Sequence, residues 1–234
     1  SSAPTLTPEQ AEAWSVIEAH IRSWGWSKAA GESNPGLFLL HGVTGSGKTE
    51  IYLRAIELTL QQGRGAIYLV PEIALVASRF PGKTAIVHSG LKEGERYDTW
   101  RRARSGLVQV VVGARSALFT PLPDVGLVIL DEEHDQSYKQ TEPIPPPYYH
   151  ARDVAEQMMR HNSGTLILGS ATPDVEIIHR AQRGDFKLLQ LPTRIMGHRI
   201  RILEQSERTG ITPQYTPAHA EDALSIELPT VKIV

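Results

Sequence analysis

The chain alternates short apolar, β-branched runs with segments of helical period. Six runs have this character: residues 37–41, 66–70, 84–88, 108–112, 126–130 and 165–168. Between the first two, Ile51, Ala55 and Leu58 recur at the spacing i, i+4, i+7, and Gly63 ends that segment. Continuous apolar strands that alternate with helices are typical of a parallel sheet covered on both faces. The pattern therefore predicts an α/β fold with a mostly parallel sheet flanked by helices.

Each run is followed at once by a polar or glycine-containing string. The strings are GVTGSGKT, PEI, SGL, GARSALF, DEEH and GSAT. Ligands of open parallel sheets bind beyond the carboxyl ends of the strands. If all six runs are parallel strands, the strings share one edge of the sheet, and we expect the functional site there.

The composition indicates which kinds of site and which location are expected for this protein. With 234 residues, of which 41% are hydrophobic, the chain can bury a sizeable core. The absence of cysteine excludes disulfides and cysteine-based zinc sites, and the nine histidines show no metal-ligand spacing, so we expect no structural metal.

A net charge of -2 gives no global sign of nucleic-acid binding, so such contacts must come from local groups. No apolar run reaches the roughly 18 residues of a membrane span, and the first residues do not resemble a signal peptide, which predicts a cytoplasmic protein.

The string GVTGSGKT, residues 42–49, matches the pattern G-x-x-x-x-G-K-[ST]. Its glycines let successive backbone N–H groups point into a concave nest, and the helix that follows adds the positive end of its dipole. Lys48 can reach the outer phosphates, and Thr49 can offer its hydroxyl to magnesium. The string therefore predicts a site for a nucleoside triphosphate with Mg²⁺. The candidate binding residues are Gly42, Thr44, Gly45, Ser46, Gly47, Lys48 and Thr49.

The string DEEH follows the fifth run and supplies acidic groups for the same site. Asp131 can hold magnesium, and Glu132 can orient and deprotonate the attacking water. These two residues and Lys48 are the candidate catalytic residues. For Glu133, a solvated loop position remains an open alternative.

The ordered strings GVTGSGKTEIYL, LVPEIAL, HSGL, GARSALF, DEEHDQSYKQ, YHARD and GSATP resemble the first RecA-like lobe of superfamily 2 helicases. Within that superfamily they are most similar to the DEEH-type primosomal replication-restart DNA helicases, over about residues 5–192. The resemblance implies a DNA-dependent ATPase that uses ATP and Mg²⁺ and unwinds duplex at stalled forks with 3′ to 5′ polarity. It also implies single-stranded and forked DNA, other primosome proteins and single-strand binding protein as partners.

The resemblance also suggests residue roles. Gln10 in LTPEQ matches the adenine reader, although the same string is typical of a helix start in which Thr7 and Gln10 form a capping box. Glu72, Arg115 and Ser116 match groups that touch the DNA backbone; an ion pair that stabilises the loop is the alternative for Arg115.

The string GSAT matches the segment that couples nucleotide state to DNA. Ser170 and Thr172 are expected to do this through hydrogen bonds to the DEEH loop, which contains His134. Arg152 in YHARD is a further coupling candidate and the first suspect for an arginine finger supplied by the chain itself.

The segment DQSYKQTEPIPPPYYHARD resembles the family's aromatic-rich loop, a sensor of single-stranded DNA. Bases stack on aromatic rings for about 1 to 3 kcal/mol each. Tyr138, Tyr148 and Tyr149 are therefore candidates for DNA contact, with His150 beside them. The alternative is that the tyrosines pack the loop onto its own domain. The prolines are expected to extend the loop into a stiff arm.

The chain departs from the family after the second run. Only residues 71–83 separate the second and third runs, where a crossover with its helix needs a dozen or more residues. Either the protein has lost a helix here, or residues of the natural protein between Ala74 and Phe80 are missing from this sequence. The second explanation is favoured because losing a core helix would uncover one face of the sheet.

The chain is expected to comprise an ATP-binding lobe, residues 1–197, and a C-terminal segment, residues 198–234. Residues 198–228 have mixed charge and no clear period, which indicates an insertion or linker. The ending LPTVKIV resembles the strand that leads into a second motor lobe, so we expect a fragment with weak activity. Two rival functions remain open: another superfamily 2 DNA translocase, and a nucleotide-regulated binding module that does not unwind DNA.

Overall fold

The computed structural model describes residues 4–29, 35–70, 80–88, 90–144 and 146–198, and two short strands at 216–217 and 223–226. Its centre is a seven-stranded sheet. The strands are β1 (Gly36–Gly42), β2 (Gly65–Leu69), β3 (Thr84–Val87), β4 (Val110–Gly113), β5 (Val125–Asp131), β6 (Thr165–Ser170) and β7 (Lys187–Leu191).

The seven strands lie in the order β3-β4-β2-β5-β6-β1-β7, and every described pairing between them is parallel. The predicted parallel α/β sheet and its six predicted strands are therefore confirmed. Strand β7 was missed, because it lies at the edge and only Leu189 and Leu191 are buried. A half-exposed edge strand leaves no continuous apolar run to detect.

The described residues also form five α-helices and two short 3₁₀ helices. They are α1 (Pro8–Ala29), α2 (Lys48–Gln61), α3 (Glu93–Arg104), α4 (Ala151–Asn162) and α5 (Val175–Gln182), with 3₁₀ turns at Arg115–Phe119 and Gln136–Tyr138. Helices α1 and α2 pack on one face of the sheet through residues such as Ile17 and Ile56. Helices α3, α4 and α5 pack on the other face through Ala103, Met159 and Ile177. The sheet is thus buried on both sides, as its apolar runs predict.

A second, small antiparallel sheet includes residues on both sides of the predicted boundary between residues 197 and 198. It contains β8 (Arg194–His198), β9 (Thr216–Pro217) and β10 (Ala223–Ile226) in the order β8-β10-β9. The sequence does not predict these pairings, because segment 198–228 lacks a clear period. The suspected gap between Ala74 and Phe80 and the ending LPTVKIV both fall outside the described residues.

The carboxyl edge of the large sheet brings three of the polar strings together. Strand β1 ends at Gly42, β5 at Asp131 and β6 at Ser170. Gly169 of β6 pairs with Leu40 of β1 and with Asp131 of β5. The glycine-rich loop, the DEEH string and the GSAT string therefore begin side by side. Among the described helices, no segment is long and apolar enough to cross a membrane.

Candidate active site

The glycine-rich loop joins β1 directly to α2, whose first residue is Lys48. Gly45 and Gly47 both have φ values of 81°, in the left-handed region that favours glycine. The Lys48 Nζ donates a hydrogen bond to the Gly42 carbonyl oxygen at 2.7 Å. The Ser46 hydroxyl is buried and has no hydrogen-bond partner among the residues that the structure describes. The loop thus offers a helix N-terminus, a buried lysine and an unused hydroxyl, which fits a bound polyphosphate.

The acidic half of the site comes from the end of β5. The Glu132 carboxylate lies 4.0 Å from Lys48 Nζ and 3.8 Å from His134 Nδ1. Glu132 has a φ of 49°, an uncommon conformation for a residue other than glycine. This backbone turn lets Asp131 end the strand while the side chain of Glu132 stays about one-third exposed. A carboxylate held beside a lysine and open to solvent can accept a proton from water.

Two tyrosine hydroxyls form hydrogen bonds to the Asp131 carboxylate. Tyr52 donates to Oδ1 at 3.0 Å, and Tyr68 donates to Oδ2 at 3.4 Å. Burial, together with the nearby Asp131 charge, raises the pKa of both tyrosines well above the ordinary value. Both hydroxyls therefore stay protonated and act as neutral donors.

Thr49 and Asp131 are suitable ligands for magnesium. Both offer oxygen, which Mg²⁺ prefers, and both lie directly beside residues that approach each other, namely Lys48 and Glu132. This donor set fits one magnesium ion shared with phosphate oxygens, as the sequence predicts. The roles of these residues in binding and catalysis remain predictions.

Glu133 is fully buried and joins the DEEH string to the segment after β6. Its backbone N–H donates to the Gly169 carbonyl at 3.0 Å, and its Oε1 accepts from the Asp174 N–H at 2.7 Å. Arg152 Nη1 lies 3.4 Å from its Oε2. Burial raises the pKa of Glu133, although the Asp174 N–H and Arg152 oppose this shift. The solvated-loop alternative for Glu133 is therefore wrong.

Arg152 is equally buried, with 4% of its side chain exposed. Besides Glu133, it lies 3.0 Å from Glu176, 3.6 Å from Asp174 and 3.6 Å from Asp153. A guanidinium surrounded by carboxylates cannot extend toward a phosphate. The suggestion that Arg152 serves as an arginine finger is therefore wrong, and the residue instead anchors the segment around Glu133.

His134 links the DEEH and GSAT strings. Its Nδ1 is 2.8 Å from the Ser170 hydroxyl, and its Nε2 is 3.5 Å from the Thr172 hydroxyl. The Thr172 N–H also donates to the Ser170 hydroxyl at 3.1 Å. The expected hydrogen bonds between the two strings are present. Their function in coupling remains a prediction.

The Gln10 side chain contacts the backbone of the glycine-rich loop at Ser46 and Gly47. Its side-chain amide donates to the Ser46 carbonyl at 2.9 Å, while its Oε1 accepts from the Thr7 N–H at 2.9 Å. The Gln10 N–H also donates to the Thr7 hydroxyl, which completes the capping box. The predicted helix start with its capping box is thus confirmed. Both the oxygen and the nitrogen of the Gln10 side-chain amide already form hydrogen bonds within the protein. Adenine reading by Gln10 stays a prediction.

The segment that follows β7 also touches the glycine-rich loop. The Ile195 N–H donates to the Gly45 carbonyl at 2.9 Å. The Arg194 side chain lies against Gly45, about where a Cβ on that glycine would point. A cavity of about 480 Å³ opens beside this contact, lined in part by Glu9, Val43 and Gln190. The sequence does not predict this contact, since no local pattern relates residue 195 to residue 45.

The tyrosines of the aromatic segment occupy different environments. Tyr138 is fully buried, and the single proton of its hydroxyl is shared between the Asp131 carbonyl at 2.7 Å and the Leu69 carbonyl at 3.0 Å. Its ring cannot stack on a base, so its expected DNA contact is wrong and the packing alternative holds for this residue. Tyr148, in contrast, is 54% exposed.

Tyr149 is half-buried and packs against the GARSALF string. Its ring lies 5.4 Å from the Arg115 guanidinium and 5.4 Å, edge to face, from Phe119. Arg115 also donates to the Ser137 carbonyl at 3.3 Å. Among the described residues, Arg115 therefore contacts the loop through a cation–π interaction and a hydrogen bond, and no ion pair of Arg115 is found there. Ser116 is exposed nearby, and Glu72 lies outside the described residues.

Two residues of the site, Tyr52 and Tyr68, are not among the site residues that the sequence predicts. Tyr52 lies four residues after Lys48, a spacing that places both on one face of α2 and could have drawn attention to it. Tyr68 lies within an apolar strand and gives no separate signal.

Comparison with known proteins agrees with this geometry. Residues 7–180 match the family described as DEAD/DEAH box helicase. The replication restart protein PriA of Bacillus subtilis (strain 168) is 52% identical over 202 residues, which are 83% of this chain and 24% of that protein. PriA of Synechocystis is 46% identical over 208 residues, 84% of this chain and 23% of that protein. The chain thus spans about a quarter of the length of these relatives.

A solved structure shares the fold. RecG bound to a three-way DNA junction superposes with a TM-score of 0.56 and 20% sequence identity, over 88% of this chain and 27% of that one. At this level of identity the likeness concerns the arrangement of strands and helices.

Proposed function

Because the chain belongs to the DEAD/DEAH box helicase family, we propose that it is the ATP-binding motor lobe of a DNA-dependent ATPase and helicase. The observation that supports this most is the approach of Lys48 to Glu132, which joins the glycine-rich loop to the DEEH string at 4.0 Å. The proposed reaction is transfer of the terminal phosphoryl group of ATP to water, and its energy drives movement along DNA.

The roles of the site residues follow from their chemistry. Lys48 binds the outer phosphates, and the N–H groups of the glycine-rich loop surround them. Thr49 and Asp131 hold magnesium, which when bound neutralises developing negative charge on the phosphates. Glu132 orients the attacking water and accepts its proton. Lys48 and His134, on either side of Glu132, limit the orientations available to its carboxylate.

Coupling to DNA is proposed to run through the loop that follows Glu132. His134 connects this loop to Ser170 and Thr172, and Glu133 connects it to Asp174. A shift of the GSAT string together with Asp174 would therefore move Glu133 and His134, the two residues that follow Glu132. Such a shift changes the position of the catalytic carboxylate without requiring any change in Lys48.

The DNA contact is proposed to lie where the aromatic segment meets the GARSALF string. Arg115 and Ser116 suit phosphate oxygens, and the exposed Tyr148 and half-buried Tyr149 suit base stacking. A phosphate that binds Arg115 competes for the guanidinium that now holds Tyr149 and the Ser137 carbonyl. DNA binding can thus release contacts of the aromatic segment, which begins directly after His134.

By likeness to the replication restart relatives, the DNA is proposed to be the single-stranded or forked DNA of stalled bacterial replication forks. Movement in the 3′ to 5′ direction, other primosome proteins and single-strand binding protein as partners, and a cytoplasmic location belong to the same proposal. It is supported by identities of 46 to 52% over more than 80% of this chain.

ATP hydrolysis by the full natural protein tests this proposal. The rate is measured without nucleic acid, with single-stranded DNA and with a forked duplex, alongside a strand-separation assay. We expect a low basal rate, strong stimulation by DNA, and strand separation of the fork. Glu132→Gln should bind a fluorescent ATP analogue but not hydrolyse ATP, and Lys48→Ala should lose most binding, while exposed Lys83→Ala should behave as wild type.

The outcomes separate the rival functions. Stimulation by DNA without strand separation would indicate a translocase that does not unwind. Nucleotide binding with no response of hydrolysis to DNA would contradict the motor proposal and indicate a nucleotide-regulated binding module.

A further inference from the structure

Two buried tyrosines that were not predicted as site residues contact the carboxylate of Asp131. Tyr52 comes from α2 and has no exposed surface; Tyr68 comes from β2 and is 3% exposed. Their rings contact each other with centroids 5.6 Å apart. One hydroxyl reaches each carboxylate oxygen, at 3.0 Å and 3.4 Å.

These hydroxyls restrict how the carboxylate can turn. An ionised carboxylate can accept about four hydrogen bonds. Tyr52, Tyr68 and the Glu132 N–H occupy positions on the protein side of Asp131. One position, on Oδ2, is left for a cation that approaches from the carboxyl edge of the sheet. Groups that orient a ligand in this way commonly influence metal affinity by about 10 to 100-fold.

The position of Tyr52 also connects the two halves of the site. It lies three residues after Thr49 on α2, about one helical turn away. Its hydrogen bond to Asp131 therefore sets the distance between the helix that carries Thr49 and the strand that carries Asp131. Gly169 leaves room for this bond, because a Cβ at Gly169 would overlap the Tyr52 hydroxyl.

We propose that Tyr52, with Tyr68 as a second donor, is a positioning residue that holds the Asp131 carboxylate in the orientation that receives Mg²⁺ beside Thr49. This inference rests on the proposed function, since it assumes that the site binds ATP with magnesium. It adds two residues to the magnesium site that do not themselves touch the ion.

The test replaces Tyr52 with phenylalanine in the full natural protein, which removes the hydroxyl and keeps the ring. Binding of a fluorescent ATP analogue is titrated with MgCl₂ and also measured in excess EDTA, and melting of each protein is recorded. We expect Tyr52→Phe to require about 10-fold more Mg²⁺ for half-maximal enhancement of binding. Binding in EDTA should stay at the wild-type level, because no phosphate-binding group has changed.

Matched variants show whether the effect passes through Asp131. Tyr97→Phe removes the same hydroxyl from an exposed tyrosine and should not alter the Mg²⁺ requirement. In an Asp131→Asn background, Tyr52→Phe should cause no further change. If Tyr52→Phe does not fold, Tyr68→Phe decides the question by the same titration, with a smaller shift expected from its longer hydrogen bond.

Two results would overturn the inference. One is an unchanged Mg²⁺ requirement in folded Tyr52→Phe. The other is an equal loss of binding with Mg²⁺ and in EDTA, which would indicate that the hydroxyl only supports the fold. If the wild-type protein itself binds the analogue without any response to Mg²⁺, the proposed function fails at its magnesium step, and this is distinguishable from both results.

Discussion

Arg152 and Glu133 form a buried ion pair in which Nη1 and Oε2 are 3.4 Å apart. The pair joins the N-terminus of α4 to the loop that carries Glu132 and His134. Removing one partner of a buried pair typically costs about 3 to 5 kcal/mol, because the other charge stays buried without compensation.

Arg152→Met is therefore expected to lower the free energy of unfolding by about 3 to 5 kcal/mol. It should also raise the pKa of Glu133 further, since Arg152 opposes the effect of burial. A carboxyl with a raised pKa in the folded state binds more protons when folded. Its contribution to stability is complete below the unfolded pKa and is lost as the pH rises through the folded pKa. Stability of the variant should thus fall more steeply than wild type as the pH rises above 4.5.

Urea unfolding at a series of pH values measures this effect. The double variant Glu133→Gln/Arg152→Met is the control, because glutamine can still accept the Asp174 N–H bond without a charge. It should lose the additional pH dependence and recover part of the stability. An equally steep pH profile in the double variant would mean that another group causes it.

The 234-residue chain by itself is expected to bind ATP but hydrolyse it slowly. An arginine finger contributes roughly 10³ to 10⁵ in rate, and the carboxylates around Arg152 prevent it from serving as one. Steady-state ATPase measurements on the purified chain check this. Rapid turnover that survives Arg152→Lys but disappears in Arg194→Ala would identify Arg194, beside Gly45, as a finger within the chain.

Tyr138 and Tyr149 are expected to respond differently to substitution by alanine. Loss of the buried Tyr138 ring and its two hydrogen bonds should destabilise the lobe by about 3 to 5 kcal/mol. Tyr149→Ala should preserve melting and ATP affinity but remove stimulation of ATP hydrolysis by DNA. Melting and ATPase assays on the same samples of the full natural protein measure both effects, with exposed Tyr97→Ala as the control. Normal stimulation in Tyr149→Ala would exclude its role as a DNA sensor.

Gln10→Ala distinguishes the two interpretations of that residue. If Gln10 braces the loop through the Ser46 carbonyl, the variant should bind ATP and GTP more weakly by the same factor. If it reads adenine, the variant should lose its preference for ATP over GTP. Competition of each nucleotide against a fluorescent ATP analogue measures both affinities. Glu9→Ala, a change at the neighbouring residue, controls for damage to the start of α1.

Several features of this protein are determined by local sequence. Each apolar run predicts a strand because a strand buried on both faces needs apolar side chains at every position. The glycine-rich loop is equally local, since Gly45 and Gly47 adopt left-handed φ values that other residues avoid. The positions of Lys48 at the start of α2 and of Asp131 and Glu132 at the end of β5 follow from the same patterns.

Other features depend on contacts between distant residues. Tyr138 and Tyr149 belong to the same polar segment but have different partners. The Tyr138 hydroxyl bonds to the Asp131 carbonyl, whereas the Tyr149 ring contacts the Arg115 guanidinium. The sequence around Arg152 gives no sign of its partners. Four carboxylates surround Arg152 because α4, α5 and the DEEH loop pack together. Tyr52 reaches Asp131 across 79 residues of sequence because β5 lies beside β6 and Gly169 leaves space for the hydroxyl. Local pattern specifies which residues enter strands and loops, whereas the order of the strands decides which side chains meet.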